Sequence, residues 1–181
     1  MKLVETPLKD CYIVEPSVFG DSRGFFMETF NQKKFNELTG SNYQFVQDNH
    51  SRSSKGVLRG LHYQIKNAQG KLVRVTSGKV LDVAVDLRKS SSTYGKSFSM
   101  ILDADDKKSL WIPPGFAHGF LVLSDTTDFL YKTTDYYSPE FERTILWNDP
   151  ALNIDWGISA EPLLSLKDKN GVLFNEAETY S

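Results

Sequence analysis

Leu72-Val73-Arg74-Val75-Thr76, halted by Ser77-Gly78 and followed at once by Val80-Leu81-Asp82-Val83-Ala84-Val85, sets the fold class. Both segments are short and rich in β-branched residues, and turn formers separate them. That pattern reads as two strands joined in a hairpin. The same texture continues downstream. Phe98–Leu102, Ser109–Ile112, Gly119–Leu123 and Phe129–Thr134 are further strand candidates. Strands at this density, with short turns and little helix, predict a mainly β sandwich or barrel rather than an α/β fold. One helix is expected upstream, where Asn31 can cap it, Phe35 and Leu38 give an apolar stripe, and Gly40 can end it. From Trp156 onward the pattern is mixed. Ile158, Leu163, Leu164, Val172, Leu173 and Phe174 are expected to pack, as a flap of short helices.

The 181 residues suffice for one domain with a real core, and no repeat, low-complexity tract or linker divides them. A single domain over 1–181 is the expectation. The formal net charge of −2 gives no broad field that would draw nucleic acid or an anionic membrane. No apolar run approaches the roughly 20 residues that span a bilayer. The stretch Met1-Lys2-Leu3-Val4-Glu5-Thr6-Pro7 lacks the continuous apolar region of a signal peptide. Cys11 is the only cysteine, so no internal disulfide can form, which fits a reducing, cytoplasmic compartment.

Three histidines carry the candidate chemistry. His50 lies in a polar stretch running from Gln47 through Ser54 and reads as an exposed loop residue. His62 lies in Gly56-Val57-Leu58-Arg59-Gly60-Leu61-His62-Tyr63-Gln64, an otherwise apolar strand, where a core histidine held by one hydrogen bond is the plain reading. His118 follows a turn in Ile112-Pro113-Pro114-Gly115-Phe116-Ala117-His118-Gly119-Phe120 and alone reads as a turn histidine. Histidine is nevertheless the side chain best suited to proton transfer near neutral pH.

Taken together, Gly56 with His62 six residues on, and Pro113-x-Gly115-x-x-His118, resemble the two motifs of the cupin superfamily, which implies a jelly roll. Metal-binding cupins place His-x-His and a Glu in the first motif. Here Gln64 stands in the second histidine position, and Ala68 or Gln69 stands where the Glu is expected. Two histidines without the third nitrogen and the carboxylate make a poor divalent site. No metal and no cofactor are therefore expected.

The resemblance then narrows. Val57–Gln64, Gly70-Lys71-Leu72-Val73-Arg74-Val75, Leu81–Arg88, Trp111–Phe120, Phe129-Leu130-Tyr131-Lys132, Tyr136-Tyr137-Ser138-Pro139 and Ile145–Asp149 all resemble the dTDP-4-dehydrorhamnose 3,5-epimerase family. So do the early Phe19–Glu28 and the late Leu164-Ser165-Leu166-Lys167-Asp168. The matches come in order and cover nearly the whole chain. The resemblance implies a metal-free cupin and a homodimer whose subunits exchange an N-terminal strand. It also implies a dTDP-linked 4-keto-6-deoxy sugar as substrate, inverted at carbons 3 and 5.

Such a reaction needs a base on one face of the sugar, an acid on the other, and a cation near the developing oxyanion. The resemblance implies His62 as base, Asp168 as the carboxylate that orients it, Tyr131 as acid and Lys71 as the cation. Arg59 is the implied phosphate clamp, with Arg23 and Lys167 as further anion contacts. Gln47, Asn49 and His118 are implied polar contacts, Glu28 and Glu142 contacts to the nucleoside end, and Tyr137 the ring that stacks on thymine. Taken singly, each of these also reads as an ordinary core or surface residue. Arg59 and His62 are three residues apart, so a regular strand sends them to opposite faces; Gly60 permits a bulge that brings both to one cavity. Three alternatives remain open: a one-centre epimerase on a similar sugar, a metal-dependent cupin enzyme, and a non-catalytic sugar-nucleotide binding module.

Overall fold

The computed structural model describes residues 1–181. In chain order its elements begin β1 (Lys2–Glu5), β2 (Tyr12–Glu15), β3 (Val18–Asp21), β4 (Gly24–Met27) and helix α1 (Gln32–Thr39). There follow β5 (Gln47–Ser54), β6 (Leu58–Gln64), β7 (Lys71–Ser77), β8 (Lys79–Asp86), β9 (Ser97–Asp103) and β10 (Ser109–Ile112). The chain closes with β11 (Phe116–Val122), β12 (Thr126–Thr133), β13 (Glu142–Thr144) and the one-turn helix α2 (Leu166–Lys169). A six-stranded sheet runs β1-β2-β10-β7-β12-β5, and a five-stranded sheet runs β13-β6-β11-β8-β9. The pairings nest: β8 with β9, β7 with β10, β6 with β11, β5 with β12. That winding of one long double strand into two facing sheets is a cupin-type jelly roll.

The expected hairpin between β7 and β8 does not form. The two strands lie in different sheets, β7 between β10 and β12, β8 between β11 and β9. Gly78, at φ +77°, turns the chain from one sheet to the other, and the hydroxyls of Ser124 and Thr127 fill the space a side chain there would need. A two-residue turn between apolar runs signals a change of direction; it does not say whether the runs pair.

The core has three parts. Val73, Val75, Val80, Ala84, Leu110, Phe120 and Phe129 fill the space between the sheets. On the outer face of the five-stranded sheet, Leu58, Leu61, Val83, Val85 and Leu121 are covered by Leu152 and Trp156 of the tail. Helix α1 covers the outer face of the six-stranded sheet, where Phe35 meets Trp111 edge to face at 4.9 Å. Full burial of Phe35 contributes about 2–3 kcal/mol. As expected, Asn31 caps α1 by accepting from the Lys34 N–H, and Gly40 ends it at φ +64°. Leu38, however, is largely exposed, so the helix docks through Phe35. The tail also departs from expectation: Leu164 and Phe174 pack on the core, while Ile158, Leu163, Val172 and Leu173 remain exposed.

The stretch Gln47–Ser54, read from sequence as a polar loop, is strand β5 at the edge of the six-stranded sheet. Its outward His50 pairs with Asp128 at 2.9 Å in the Arg52–Asp128 cluster, and its inward face is polar because it looks onto a cavity. No helix is long and apolar enough to cross a membrane.

Candidate active site

Between the sheets, at the end where the apolar filling stops, lies a cavity of about 390 Å³. Arg59, His62, His118 and Phe120 reach it from the five-stranded sheet; Gln47, Asn49, Ser51, Lys71, Phe129 and Tyr131 reach it from the six-stranded sheet. Tyr137, Glu142 and Lys167 stand at its rim. A larger, shallower groove of about 730 Å³ runs along the tail past Trp147 and Trp156, with no histidine or tyrosine facing it.

The bulge expected at Gly60 is present. On β11, His118 sits opposite His62 and Phe120 opposite Arg59, so β6 carries one residue more than its partner. Gly60 has φ +129°, and a side chain there would come within 2.5 Å of the Gly119 Cα. The extra residue turns Arg59 and His62 to one face.

His62 is mostly buried, with 21% of its side chain exposed. Its Nε2 lies 2.6 Å from Asp168 Oδ1. Asp168 lies in the first turn of α2, in a capping box with Ser165, and accepts from the Gly60 N–H at 3.1 Å and the Ser165 hydroxyl at 2.5 Å. Burial alone would raise its pKa; these bonds hold it at about 2, so it is a carboxylate and the Nε2–H of His62 donates to it. Nδ1 of His62 has no protein partner and faces the cavity. Burial lowers the imidazole pKa, and the ammonium groups of Lys167 and Lys71 lower it further against the pull of Asp168. The result is a neutral imidazole with a free lone pair, the state a general base needs.

Lys71 is buried, not the solvated edge lysine its position at a strand start suggests. Its Nζ donates to the His62 carbonyl at 3.3 Å, and burial brings its pKa down to about 8. Tyr131, on the opposite sheet from His62, has its pKa raised by burial, and its hydroxyl makes no bond to protein. Arg59 anchors to the Ser53 hydroxyl through Nε at 3.1 Å and Nη2 at 3.0 Å, leaving further N–H groups for an anion. At the rim, Glu142 accepts from Lys167 at 2.8 Å and from the Tyr137 hydroxyl at 2.9 Å. Those two bonds keep its pKa low despite burial. Gln47 holds the Tyr137 N–H at 3.1 Å and Asn49 at 3.0 Å.

Of the residues singled out from sequence, Arg23 and Glu28 do not join the cavity. Arg23 pairs with Asp21 in the exposed β3–β4 hairpin, and Glu28 pairs with Lys34. Sequence reasoning passed over Ser51, Gln69, Phe120 and Phe129, which line the cavity, and Asp82 behind it. Only Asp82 left a signal, a carboxylate inside an apolar run. No group of three His, Cys, Asp or Glu side chains is placed to hold a metal ion. Gln64 is turned away, bonding Asn67, Tyr136 and Ser138.

The sequence pattern of the family described as dTDP-4-dehydrorhamnose 3,5-epimerase matches residues 5–176. The chain belongs to that family. Among its relatives, the dTDP-4-dehydrorhamnose 3,5-epimerase of Shigella flexneri is 58% identical over 181 residues, covering 99% of each chain. That of Pseudomonas aeruginosa is 57% identical over 180 residues, again covering 99% of each. The crystal structure of the dTDP-6-deoxy-D-glucose-3,5-epimerase of Legionella pneumophila, in complex with dTDP-4-keto-L-rhamnose, superposes with a TM-score of 0.95. It is 51% identical and covers 98% of this chain and 94% of that one.

Proposed function

We propose that the chain inverts carbons 3 and 5 of dTDP-4-dehydro-6-deoxy-D-glucose to give dTDP-4-dehydro-L-rhamnose. One observation carries this reading: a neutral histidine with its lone pair free and an unbonded tyrosine hydroxyl enter one cavity from opposite sheets. His62 removes a proton beside the ketone, and the electron pair passes to the carbonyl oxygen as an enolate. Lys71 stabilises that oxyanion. Tyr131 returns a proton from the other face, which inverts the carbon. Arg59 and Lys167 hold the diphosphate, Gln47, Asn49 and His118 the sugar, and Tyr137 and Glu142 the nucleoside end.

Arg23 and Glu28 find their role in a second copy of the chain. The β3–β4 hairpin projects Phe19, Phe25 and Phe26, which are 66%, 61% and 72% exposed. Exposed rings on an arm fit exchange into a homodimer, where Arg23 and Glu28 reach the partner's cavity. On this reading residues 1–181 form one jelly-roll domain with an exchanged N-terminal arm and a C-terminal flap that brings Asp168 to His62. Cys11, buried and unpaired, fits a cytoplasmic setting.

The test is exchange of solvent deuterium into the sugar of the dTDP-4-keto substrate, read separately at carbons 3 and 5. Uptake at both is expected. Uptake at one carbon reduces the chain to a one-centre epimerase, and uptake at neither sinks the reading. His62→Ala is expected to abolish exchange, while Tyr131→Phe retains proton removal and impairs inversion.

A further inference from the structure

Three histidines touch this cavity: His50 pairs with Asp128 at its edge, and His62 is one of two histidine–carboxylate pairs carried by the five-stranded sheet. In the second, His118 Nε2 lies 3.0 Å from Oδ2 of Asp82. The two carboxylates differ in what else they bond. Asp168 accepts from a ring N–H, a backbone N–H and a hydroxyl, and these solvate its charge. Asp82 is wholly buried, and its Oδ1 has no partner at all. A carboxylate with one hydrogen bond in a sealed interior is too poorly solvated to carry an uncompensated charge.

Lys71 makes no bond to Asp82; its N–H goes to the His62 carbonyl at 3.3 Å. Charge balance therefore falls to the pair itself. The pair is neutral overall when His118 is an imidazolium beside a carboxylate. It is equally neutral when the shared proton sits on Asp82 and His118 is uncharged. In both arrangements Nδ1 of His118 carries a hydrogen. That nitrogen has no protein partner and opens onto the cavity. The ring lies near-parallel to Phe129, offset at 6.0 Å and 23°, and the Nε2–Asp82 bond sets the direction of Nδ1.

We propose that Asp82 is a positioning residue of the reaction: it keeps a hydrogen on Nδ1 of His118, which donates to a carbonyl oxygen of the substrate as charge develops there. The two pairs then work in opposite senses. The well-bonded Asp168 leaves His62 a lone pair; the under-bonded Asp82 leaves His118 a donor. The inference rests on the epimerase reading for the identity of the oxygen, and on the structure alone for the state of the ring.

Nitrogen-15 NMR of the histidine rings in the substrate-free enzyme near neutral pH tests it, with His118→Gln to assign the signals. Nδ1 of His118 is expected at the shift of a protonated ring nitrogen, and Nδ1 of His62 at the shift of a lone-pair nitrogen. A lone-pair shift at Nδ1 of His118, which follows if Lys71 alone balances Asp82, overturns the inference. Kinetics supply the second arm. Asp82→Leu, which keeps the branched outline without the charge, is expected to lower Tm, because His118 loses its partner, while kcat of the folded protein falls about 10- to 100-fold. KM should change by less than about threefold, because ground-state contacts remain. Asp82→Ala, which offers His118 neither donor nor acceptor, serves if the leucine variant does not fold. Wild-type kcat in the folded variant overturns the role. Lack of solvent exchange in the wild-type enzyme sinks the epimerase reading, whereas the ring spectrum, taken without substrate, judges the state of His118 by itself.

Discussion

In the proposed mechanism His62 and Lys71 must be in opposite states of charge, side by side. The base works only as neutral imidazole, and its pKa is held below the ordinary 6.5 by burial. The cation works only while protonated, and burial brings its pKa to about 8. Activity therefore rises with pH through a value below 6.5, as His62 loses its proton, and falls above about 8, as Lys71 loses its own. A bell-shaped profile of kcat/KM is the expected outcome. Lys71→Arg keeps the charge at all accessible pH, so its alkaline limb should move upward even though the rate drops. An alkaline limb still near 8 in that variant would assign it to another group. Tyr131 is not that group, since burial raises its pKa rather than lowering it.

At the scale of the element, the site depends on one irregular strand. Gly60 makes the bulge in β6 and also donates its N–H to Asp168, so it aims His62 and tethers the carboxylate that orients it. In Gly60→Ala the added methyl meets the Gly119 Cα at 2.5 Å and the His118 carbonyl oxygen at 2.9 Å, at a backbone φ of +129°. A loss of about 2–4 kcal/mol in urea unfolding is expected. Solvent exchange should fall more than the loss of folded protein explains, because His62 and Asp168 separate. Much of this element was legible in advance, since an apolar strand with Arg59 and His62 three apart needs an extra residue. β10 was legible to the residue, and β9 and α1 nearly so, because turn formers or caps bound them. β5 was not, because an edge strand facing a polar cavity has no apolar period to read. Asp168 was legible only through the family resemblance: its partner lies 106 residues away, and its own surroundings read as a charged turn.

At the scale of the molecule, the exposed β3–β4 hairpin and its Arg23 stand outside the cavity of their own chain. Mixing two inactive proteins, His62→Ala and Arg23→Ala, tests the exchanged arm. In a mixed dimer, one cavity has its own His62 and receives Arg23 from the partner. Half of the dimers are mixed and half of their sites are whole, so about a quarter of wild-type activity should return. If Arg23 serves the cavity of its own chain, nothing returns. The nested pairing of the strands also fixes an order in time. The β8–β9 pair closes the shortest loop, and each pair outside it, β7–β10, β6–β11 and β5–β12, spans more chain. Chain entropy makes the inner pairs the cheaper first step, and the whole roll a slow folder on the scale of milliseconds to seconds. Pulse-labelled hydrogen exchange should show amides of β8 and β9 protected before those of β5. The cavity, walled by the outermost pairs, is then the last part of the molecule to come into being.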